Sequence, residues 1–313
     1  MSKQVPKHTP YANTLFPKGA YVELNELQQL RYLAQQCVSP KNRVNKANLG
    51  GQYKSRAINR GMEFEEVRVY QPGDDIRSID WRVTARTQVT HSKRYSEEKE
   101  HPIITAVDQR RSLFFGSHPC FKSVYACHIA AIINWVTLAN DDRCGGLVLS
   151  QNGMSETRPV RSHKTVNRWL QQLTTANQQL STEIRTEPHF VDLLQQLQQT
   201  TQAGSSIYII SDFYDLDKEC EPWLFRLARH NQITLLWVVD TLEAHIPNTA
   251  SLAISNGKAS QQMSIQQQTQ HAFHQQFKNK EQRLIHLQQQ YKLRLQLAFV
   301  QTPPLDIVKE CFI

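Results

Sequence analysis

From about residue 102 onward, short apolar runs alternate with stretches of helical period. Three of these runs end in an aspartate: PIITAVD at Asp108, SIYIISD at Asp212 and QITLLWVVD at Asp240. Because each run is short and nearly continuous in apolar residues, it predicts a buried parallel strand. The stretches between them, such as FKSVYACHIAAIINWVTLA, predict helices. Strands that alternate with helices predict a doubly wound α/β domain with a mainly parallel sheet over residues 102–313.

The chain before that domain predicts a smaller N-terminal segment with strands and short helices. Residues 22–37 place leucines at helical spacing and predict one helix within an arm over residues 1–60. MEFEEVRVY alternates and predicts a strand, and QPGDD predicts a turn. Asp74 or Asp75 is suited to cap a helix through IRSIDWRVTAR. We therefore expect a basic arm, a charged segment over residues 61–101, and then the α/β domain.

The positive charge of the chain is concentrated in the arm. The 313 residues carry a net charge of +8, and residues 1–60 contain ten Lys or Arg against two acids. Such an arm can contact an acidic protein, RNA or an anionic membrane surface. Since no nucleic-acid-binding motif accompanies it, nucleic-acid binding through the arm is the weaker alternative.

Composition and motifs exclude several classes of protein. The six cysteines form no C-x-x-C pair, the first residues lack the apolar core of a signal peptide, and no apolar stretch is long enough to span a bilayer. These features predict a cytoplasmic protein without a transmembrane segment. The sequence contains no G-x-S-x-G, Walker A, H-E-x-x-H or G-x-G-x-x-G motif. Their absence favours a non-enzymatic role.

The run EVRVYQPGDDIRSIDWRVTAR interleaves acids with arginines and contains no lysine. Its acids are Glu66, Asp74, Asp75 and Asp80, and its bases are Arg68, Arg77, Arg82 and Arg86. Arginine forms bidentate pairs with carboxylates that lysine cannot form. Either the run satisfies itself or clamps the following domain, with Trp81 packed beneath the ion pairs, or it forms a surface that docks a partner.

The aspartates at the strand ends raise the question of a metal site. Asp108, Ser112 and Asp212 offer the carboxylate and hydroxyl oxygens that suit Mg²⁺. Arg110, however, has no lone pair to offer a metal. The loop is therefore either an altered metal site, or a place where Arg110 or Arg111 neutralises Asp108 and Asp212 by direct pairing. We expect no cofactor, because Arg110 disfavours Mg²⁺.

The residues collected so far carry a family resemblance. GMEFEEVRVYQPGDDIRSIDWRVTART, the following EEKE, and a D-x-x-x-S loop ending in FFG resemble the bacterial domain-of-unknown-function family 58. The likeness continues through FKSV and DDRCGGLVLS and covers roughly residues 45–215.

This resemblance implies a von Willebrand factor A-like domain with a central parallel sheet. It also implies a partner, since members are associated with MoxR-type AAA+ ATPases and are thought to act with them on client proteins, in assembly, activation or metal insertion. The metal-adhesion loop of A-type domains maps onto Asp108, Arg110 and Ser112, with Asp212 as the later aspartate. Arg110 departs from that pattern, and Thr186 lies near the loop that supplies a threonine ligand. Together these features predict an adaptor or scaffold with a degenerate metal site.

Overall fold

The computed structural model describes most of the chain. The described residues are 16–37, 62–97, 102–117, 119–183, 186–246, 251–255, 260–264 and 267–312. They form two compact units: a smaller unit over residues 62–97, and a larger unit that contains the rest.

The strands and helices alternate along the larger unit. The strands of the chain are β1 (Met62–Val69), β2 (His91–Glu97), β3 (Ile103–Gln109), β4 (Cys144–Ser150), β5 (Gly153–Val160), β6 (Ser206–Ser211), β7 (Gln232–Val239), β8 (Ser251–Ser255), β9 (Ser260–Ser264) and β10 (Arg294–Phe299). The α-helices are α1 (Leu24–Gln29), α2 (Arg31–Ala34), α3 (Trp81–Thr87), α4 (Lys122–Ala139), α5 (His163–Gln178), α6 (Phe190–Thr200), α7 (Glu221–Ala228), α8 (Thr241–Ala244), α9 (Gln267–Tyr291) and α10 (Pro304–Phe312).

A six-stranded sheet of order β10-β7-β6-β3-β4-β5 forms the centre of the larger unit. All neighbouring strands are parallel except the edge strand β5, which runs antiparallel to β4. The chain places β4 on one side of β3 and later returns to place β6 on the other side. Strand order therefore reverses between β3 and β6, and this is the point where α/β sheets form crevices for ligands.

Apolar side chains cover both faces of this sheet, as in a doubly wound fold. Along β3, Ile103 and Val107 belong to one core cluster, whereas Ile104 and Ala106 belong to the other. Helices α4, α5 and α10 contribute to the first cluster, and helices α6, α7 and α9 to the second. The predicted mainly parallel α/β fold is confirmed.

Residues 16–37 lie in the larger unit, although the sequence assigned them to a basic arm ending at residue 60. Val22, Leu27 and Leu30 are buried in the same cluster as α4. The indole of Trp135 donates to the Leu27 carbonyl at 2.9 Å. Burial of these apolar side chains explains why residues 16–37 pack onto the larger unit. The arm was defined by its charge alone, and a count of charges takes no account of apolar side chains. The predicted helix is divided into α1, α2 and a 3₁₀ turn.

The smaller unit is an antiparallel pair, β1 and β2, with two short helical segments between the strands. The sequence predicted one helix here, but the structure contains two helical segments, each with its own capping aspartate. Asp75 accepts a hydrogen bond from the Arg77 amide and begins a 3₁₀ turn. Asp80 accepts from the amides of Arg82 and Val83 and begins α3. Two capping aspartates therefore give two short helices rather than one.

Several elements were not predicted from the sequence, among them β2, α10, the edge strand β5 and the β8–β9 hairpin. The strands β5, β8 and β9 lack the long continuous apolar pattern of the buried strands. Among the helices that the structure describes, none combines the length and the apolar composition needed to cross a bilayer.

Candidate functional site

The two aspartates predicted for the metal loop flank the point where strand order reverses. Asp108 lies near the end of β3, and Asp212 directly follows β6. Both side chains are buried, with exposed fractions of 0% for Asp108 and 4% for Asp212. Because parallel strands end at the same edge of a sheet, the fold brings together residues that are far apart in sequence.

Arg110 bridges two carboxylates at this edge. Its Nε and Nη2 donate to the two oxygens of Asp108 at 2.9 and 2.8 Å. Its Nη1 and Nη2 donate to the two oxygens of Asp215 at 2.6 and 2.7 Å. The fifth N–H bonds to the Pro188 carbonyl at 3.1 Å. Every donor of the guanidinium is therefore used, and this match explains why a buried arginine is tolerated here.

Lys122 forms a second bridge beside the first. It is the first residue of α4, and its side chain is only 1% exposed. Its Nζ donates to Oδ2 of Asp212 at 3.0 Å and to Oε1 of Glu243 at 2.6 Å. Asp212 is thus paired with Lys122 rather than with Arg110 or Arg111, and the expectation that an arginine neutralises it is wrong. The reason is that only the fold places the start of α4 beside the end of β6.

Hydroxyl and amide groups donate further hydrogen bonds to the carboxylates of Asp108 and Asp212. Ser112 donates to Oδ1 of Asp212 at 3.1 Å, and the Tyr214 amide donates to the same oxygen at 3.2 Å. Ser211 donates to Oδ2 of Asp108 at 2.8 Å. Each carboxylate oxygen of Asp108 and Asp212 therefore accepts at least one hydrogen bond from a charged or neutral donor.

The loop after β6 has a constrained backbone that positions Asp215. Phe213 adopts a left-handed conformation with φ of 53°, although its buried ring stacks edge-on against Phe190. The Phe190 amide, at the start of α6, also donates to Oδ2 of Asp215 at 2.9 Å. A non-glycine residue in this region costs about 1–3 kcal/mol, which the surrounding contacts must offset. The strain is consistent with a loop that is held in place to supply Asp215.

A capped turn after β7 holds Glu243 in the same way. Asp240 caps α8, accepting from the amide of Leu242 at 2.9 Å, and its own amide donates to Oε2 of Glu243 at 3.0 Å. The Ser117 amide donates to Asp240 at 2.8 Å, and the Ser117 hydroxyl also donates to this carboxylate. Glu243 is therefore fixed by the chain around it, independently of its contact with Lys122.

The charges of the cluster shift the pKa values of its acids in different directions. Burial opposes the ionisation of Asp212, but the positive charges of Lys122 and Lys280 outweigh it and lower its pKa. Burial likewise opposes the ionisation of Asp215, and hydrogen bonds from Arg110 outweigh it and lower its pKa. These two carboxylates are therefore ionised at neutral pH.

The pKa values of Asp108, Arg110 and Lys122 are raised. Burial is the largest influence on Asp108 and raises its pKa, against the opposing hydrogen bonds from Arg110 and Ser211. Burial works against the charged forms of Arg110 and Lys122, yet their carboxylate partners raise the pKa of both. The two cations thus remain charged throughout the physiological range.

The donor set has the oxygen chemistry that a hard divalent cation prefers, but its oxygens are already occupied by cationic partners. Asp108 contacts Arg110, and Asp212 contacts Lys122. Thr186 is exposed, and its neighbour Glu187 accepts from the Arg111 amide. In the part of the chain that the structure describes, no three His, Cys, Asp or Glu side chains are arranged to hold a metal. The residues present therefore do not fit the metal that the family resemblance implies.

Sequence reasoning missed three members of this cluster: Lys122, Asp215 and Glu243. One signal was available for Lys122, since it is a charged residue at the start of an otherwise apolar helix. Asp215 and Glu243 follow the buried strands β6 and β7 by a few residues, which is where ligand-binding loops of α/β sheets lie. Nothing in the sequence, however, indicates which acid pairs with which cation.

The smaller unit uses its acids locally. Asp74 accepts from Arg68 at 2.6 Å and from the Gln71 amide at 3.0 Å, and so closes the turn. Asp75 and Asp80 cap the two helical segments. Oδ2 of Asp80 also lies 3.5 Å from Nζ of Lys93. Of the predicted acid–arginine network, the described contacts therefore include the pair between Arg68 and Asp74, whereas Asp75 and Asp80 accept hydrogen bonds from the backbone.

The arginines that follow the turn are exposed instead. Arg77, Arg82 and Arg86 have exposed side chains with no ionic or hydrogen-bonded side-chain partner within the described residues. Trp81 is 67% exposed, so the expectation that it packs beneath the ion pairs is wrong. As the first residue of a short helix on a two-stranded sheet, it has little core to enter. Ile76 is equally exposed.

The basic arm is the third predicted site. Its residues 1–15 and 38–60, which contain most of its positive charge, lie outside the described residues, as does the side chain of Glu66. Nucleic-acid binding through the arm stays a prediction.

Uncharacterized proteins of Mycobacterium bovis and Mycobacterium tuberculosis are 28% identical over 200 residues, which cover 64% of this chain and 62% of theirs. The match thus spans less than two thirds of the relatives' length. The solved structure of BatB, a conserved hypothetical protein from Bacteroides thetaiotaomicron, is 11% identical, with a TM-score of 0.39, and covers 67% of this chain and 96% of BatB. The SpRpn10 VWA domain is 12% identical, with a TM-score of 0.39, and the match covers 66% of this chain and 93% of that domain.

A family model described as "Protein of unknown function DUF58" matches residues 66–284. The match begins within the charged run of the smaller unit, includes the sheet strands β3 to β7, and ends within α9, before β10. It confirms the resemblance inferred from the sequence. Because the matched residues make up more than half of its length, the chain belongs to the DUF58 family.

Proposed function

We propose that this chain is a non-enzymatic adaptor that works with a MoxR-type AAA+ ATPase on a client protein, in its assembly, activation or metal insertion. The coarse part of this proposal, a protein-interaction module, is supported by the family and by the α/β fold. The finer part, the ATPase partner, is drawn from the family resemblance. The observation that carries it is the exposed arginine and tryptophan surface of residues 76–86.

This surface does not serve the stability of the smaller unit. Exposed ion pairs contribute only about 0–1 kcal/mol each, and the exposed arginines lack even such partners among the described residues. Trp81 exposes 67% of its surface to water. Tryptophan and arginine are the residues most enriched in the energetic centres of protein interfaces. A binding role therefore explains what a structural role does not.

The composition of the surface indicates the chemistry of its partner. Arg82 and Arg86 lie four residues apart on α3 and so share one face of the helix. Guanidinium groups form bidentate pairs with carboxylates. We therefore expect an acidic partner surface, with an apolar pocket or flat patch that receives Trp81.

The cluster in the larger unit supports a non-enzymatic role. A general base needs a carboxylate that is free to take a proton from a substrate. Asp108, Asp212 and Asp215 each bind a cationic side chain at 3.0 Å or less. These charges stabilise one another, and so the cluster has the character of a structural network.

The test compares two triple variants for binding to the purified MoxR-type ATPase encoded in the same genome. The first changes the surface: Arg77→Ala, Trp81→Ala and Arg82→Ala. The control changes an exposed aromatic residue and two exposed arginines elsewhere: Phe225→Ala, Arg158→Ala and Arg168→Ala. Because loss of interface centres costs about 2 kcal/mol or more each, we expect at least about a tenfold loss of affinity for the first variant.

The control should bind like the parent chain. Equal affinities of both variants would remove the surface from the proposal, and absence of binding by the parent would remove the partner. Binding that disappears after nuclease treatment would instead support the nucleic-acid alternative.

A further inference from the structure

Each of the two buried cations occupies the space between two carboxylates. Nζ of Lys122 lies 3.0 Å from Oδ2 of Asp212 and 2.6 Å from Oε1 of Glu243. Arg110 lies between Asp108 and Asp215 at 2.6–2.9 Å. In both bridges a positively charged group lies between acids from different parts of the chain.

The two bridges differ in how closely they resemble a metal ion. An ammonium is a compact point charge, whereas a guanidinium is a planar group that spans several ångströms. Divalent ions bind oxygen at about 2.0–2.6 Å, so an ion at the position of Nζ could contact both Asp212 and Glu243 after small movements. The Ser112 hydroxyl donates to the other oxygen of Asp212, Oδ1, at 3.1 Å, and so places a further oxygen beside this bridge. Lys122 therefore lies where an ion held by these oxygens would lie.

We propose that Lys122 and Arg110 are built-in substitutes for a divalent cation, and that Lys122 is the residue that keeps such an ion out. The carboxylates of Asp212 and Glu243 then form a preorganised oxygen site that is occupied by the amine of Lys122. The loops that carry these acids are held in place without a metal ion. This inference goes beyond the proposed adaptor function and does not depend on it.

The rigidity of the acids supports this assignment. Glu243 is fixed by the Asp240 amide, and Asp212 by Ser112 and the Tyr214 amide, so both carboxylates keep their places without the lysine. Removal of the amine would leave two fixed carboxylates without the cation that bridges them. Lys280 is a further cation whose charge acts on Asp212, and it would weaken ion binding without occupying the bridge.

The experiment measures Mg²⁺ and Mn²⁺ binding by calorimetry and by melting temperature for the parent, Lys122→Met and Lys164→Met. Lys164 is an exposed lysine near the start of α5 and provides the control. We expect no binding in the millimolar range for the parent and the control. For Lys122→Met we expect measurable binding and a melting temperature that rises with added MgCl₂, because an ion that binds only the folded state stabilises it.

Two results would overturn the inference. The first is metal binding by the parent chain at the same concentrations. The second is a folded Lys122→Met variant, with the circular dichroism of the parent, that gains no affinity. If Lys122→Met does not fold without metal, refolding in MgCl₂ distinguishes the cases, since recovery supports the inference and failure opposes it. Lys122→Gln, which keeps hydrogen-bond donors but no charge, repeats the comparison. None of these outcomes depends on binding to an ATPase.

Discussion

The buried cluster at the end of the sheet and the exposed run of the smaller unit use the same residue types in opposite ways. In the cluster, Arg110 has carboxylate or carbonyl partners for all of its donors. In the run, Asp74 pairs with Arg68, Asp75 and Asp80 accept from backbone amides, and the side chains of Arg77, Arg82 and Arg86 are exposed. Aspartate and arginine therefore form a closed network in the cluster, whereas in the run, apart from the pair Arg68–Asp74, they serve as capping acids and exposed cations.

Burial explains this difference. A charge that is removed from water must be paired, because an unpaired buried charge costs several kcal/mol. A charge at the surface has no such requirement, and pairing there contributes little. The same residue types therefore stabilise the fold in the larger unit and remain available for a partner in the smaller one. Each prediction below changes one side of this contrast.

The largest effect is expected from removal of a buried cation. Arg110→Ala leaves Asp108 and Asp215 without their guanidinium, and loss of one partner of a buried pair typically costs about 3–5 kcal/mol. We expect a decrease of that size in the free energy of unfolding, measured by urea denaturation of the whole chain. A decrease below about 1 kcal/mol, the value of an exposed pair, would mean that the cluster is more solvated than its burial indicates.

The second-largest effect is expected from acidification, which should reduce the stability that the buried cluster contributes to the fold. Asp212 and Asp215 have folded-state pKa values below their ordinary ones. Their contribution is therefore present above the unfolded-state pKa of about 4 and is lost as the pH falls through the folded-state pKa. We expect the free energy of unfolding to fall from about pH 4 downward, in a series of urea titrations.

The matched variant for this series is Asp215→Asn, which cannot titrate at that position. It should be less stable at neutral pH and should lose less stability on acidification than the parent. Parallel pH profiles for the two proteins would show that Asp215 does not contribute to the acid response.

A smaller effect is expected from the caps of the smaller unit. Asp80→Ala removes the acceptor for the amides of Arg82 and Val83, and loss of an N-cap costs about 0.5–2 kcal/mol. Hydrogen exchange of the α3 amides should therefore accelerate. Asp80→Asn keeps a capping oxygen and serves as the control, with exchange close to that of the parent. Equal acceleration in both variants would assign the effect to the lost charge and its contact with Lys93.

The smallest effect on stability is expected from the exposed arginines. Arg82→Ala and Arg86→Ala should each change the free energy of unfolding by no more than about 0.5 kcal/mol, as is usual for surface positions. Thermal denaturation of the two variants tests this expectation. A larger loss would show that these side chains have structural partners and would weaken the proposed binding surface.

Much of the fold was predictable because its strands are buried on both faces. The nearly continuous apolar runs that became β3, β6 and β7 have a pattern that few other structures produce. The edge strand β5 was missed because most of its side chains are exposed or half-buried, so its sequence contains no continuous apolar run. The site was predicted in part: Asp108, Arg110, Ser112 and Asp212 do come together, but without the partners Asp215, Lys122 and Glu243.

By itself, the sequence determined the doubly wound α/β class, the aspartates at the strand ends and the concentration of arginines in the smaller unit, because these depend on local periodicity and composition. Only the tertiary structure decided that Lys122 pairs with Asp212, that Arg110 joins Asp108 to Asp215, and that Trp81 is exposed. The reason is physical. Pairing and burial depend on which loops meet at the edge of the sheet, and those loops are about a hundred residues apart in the chain.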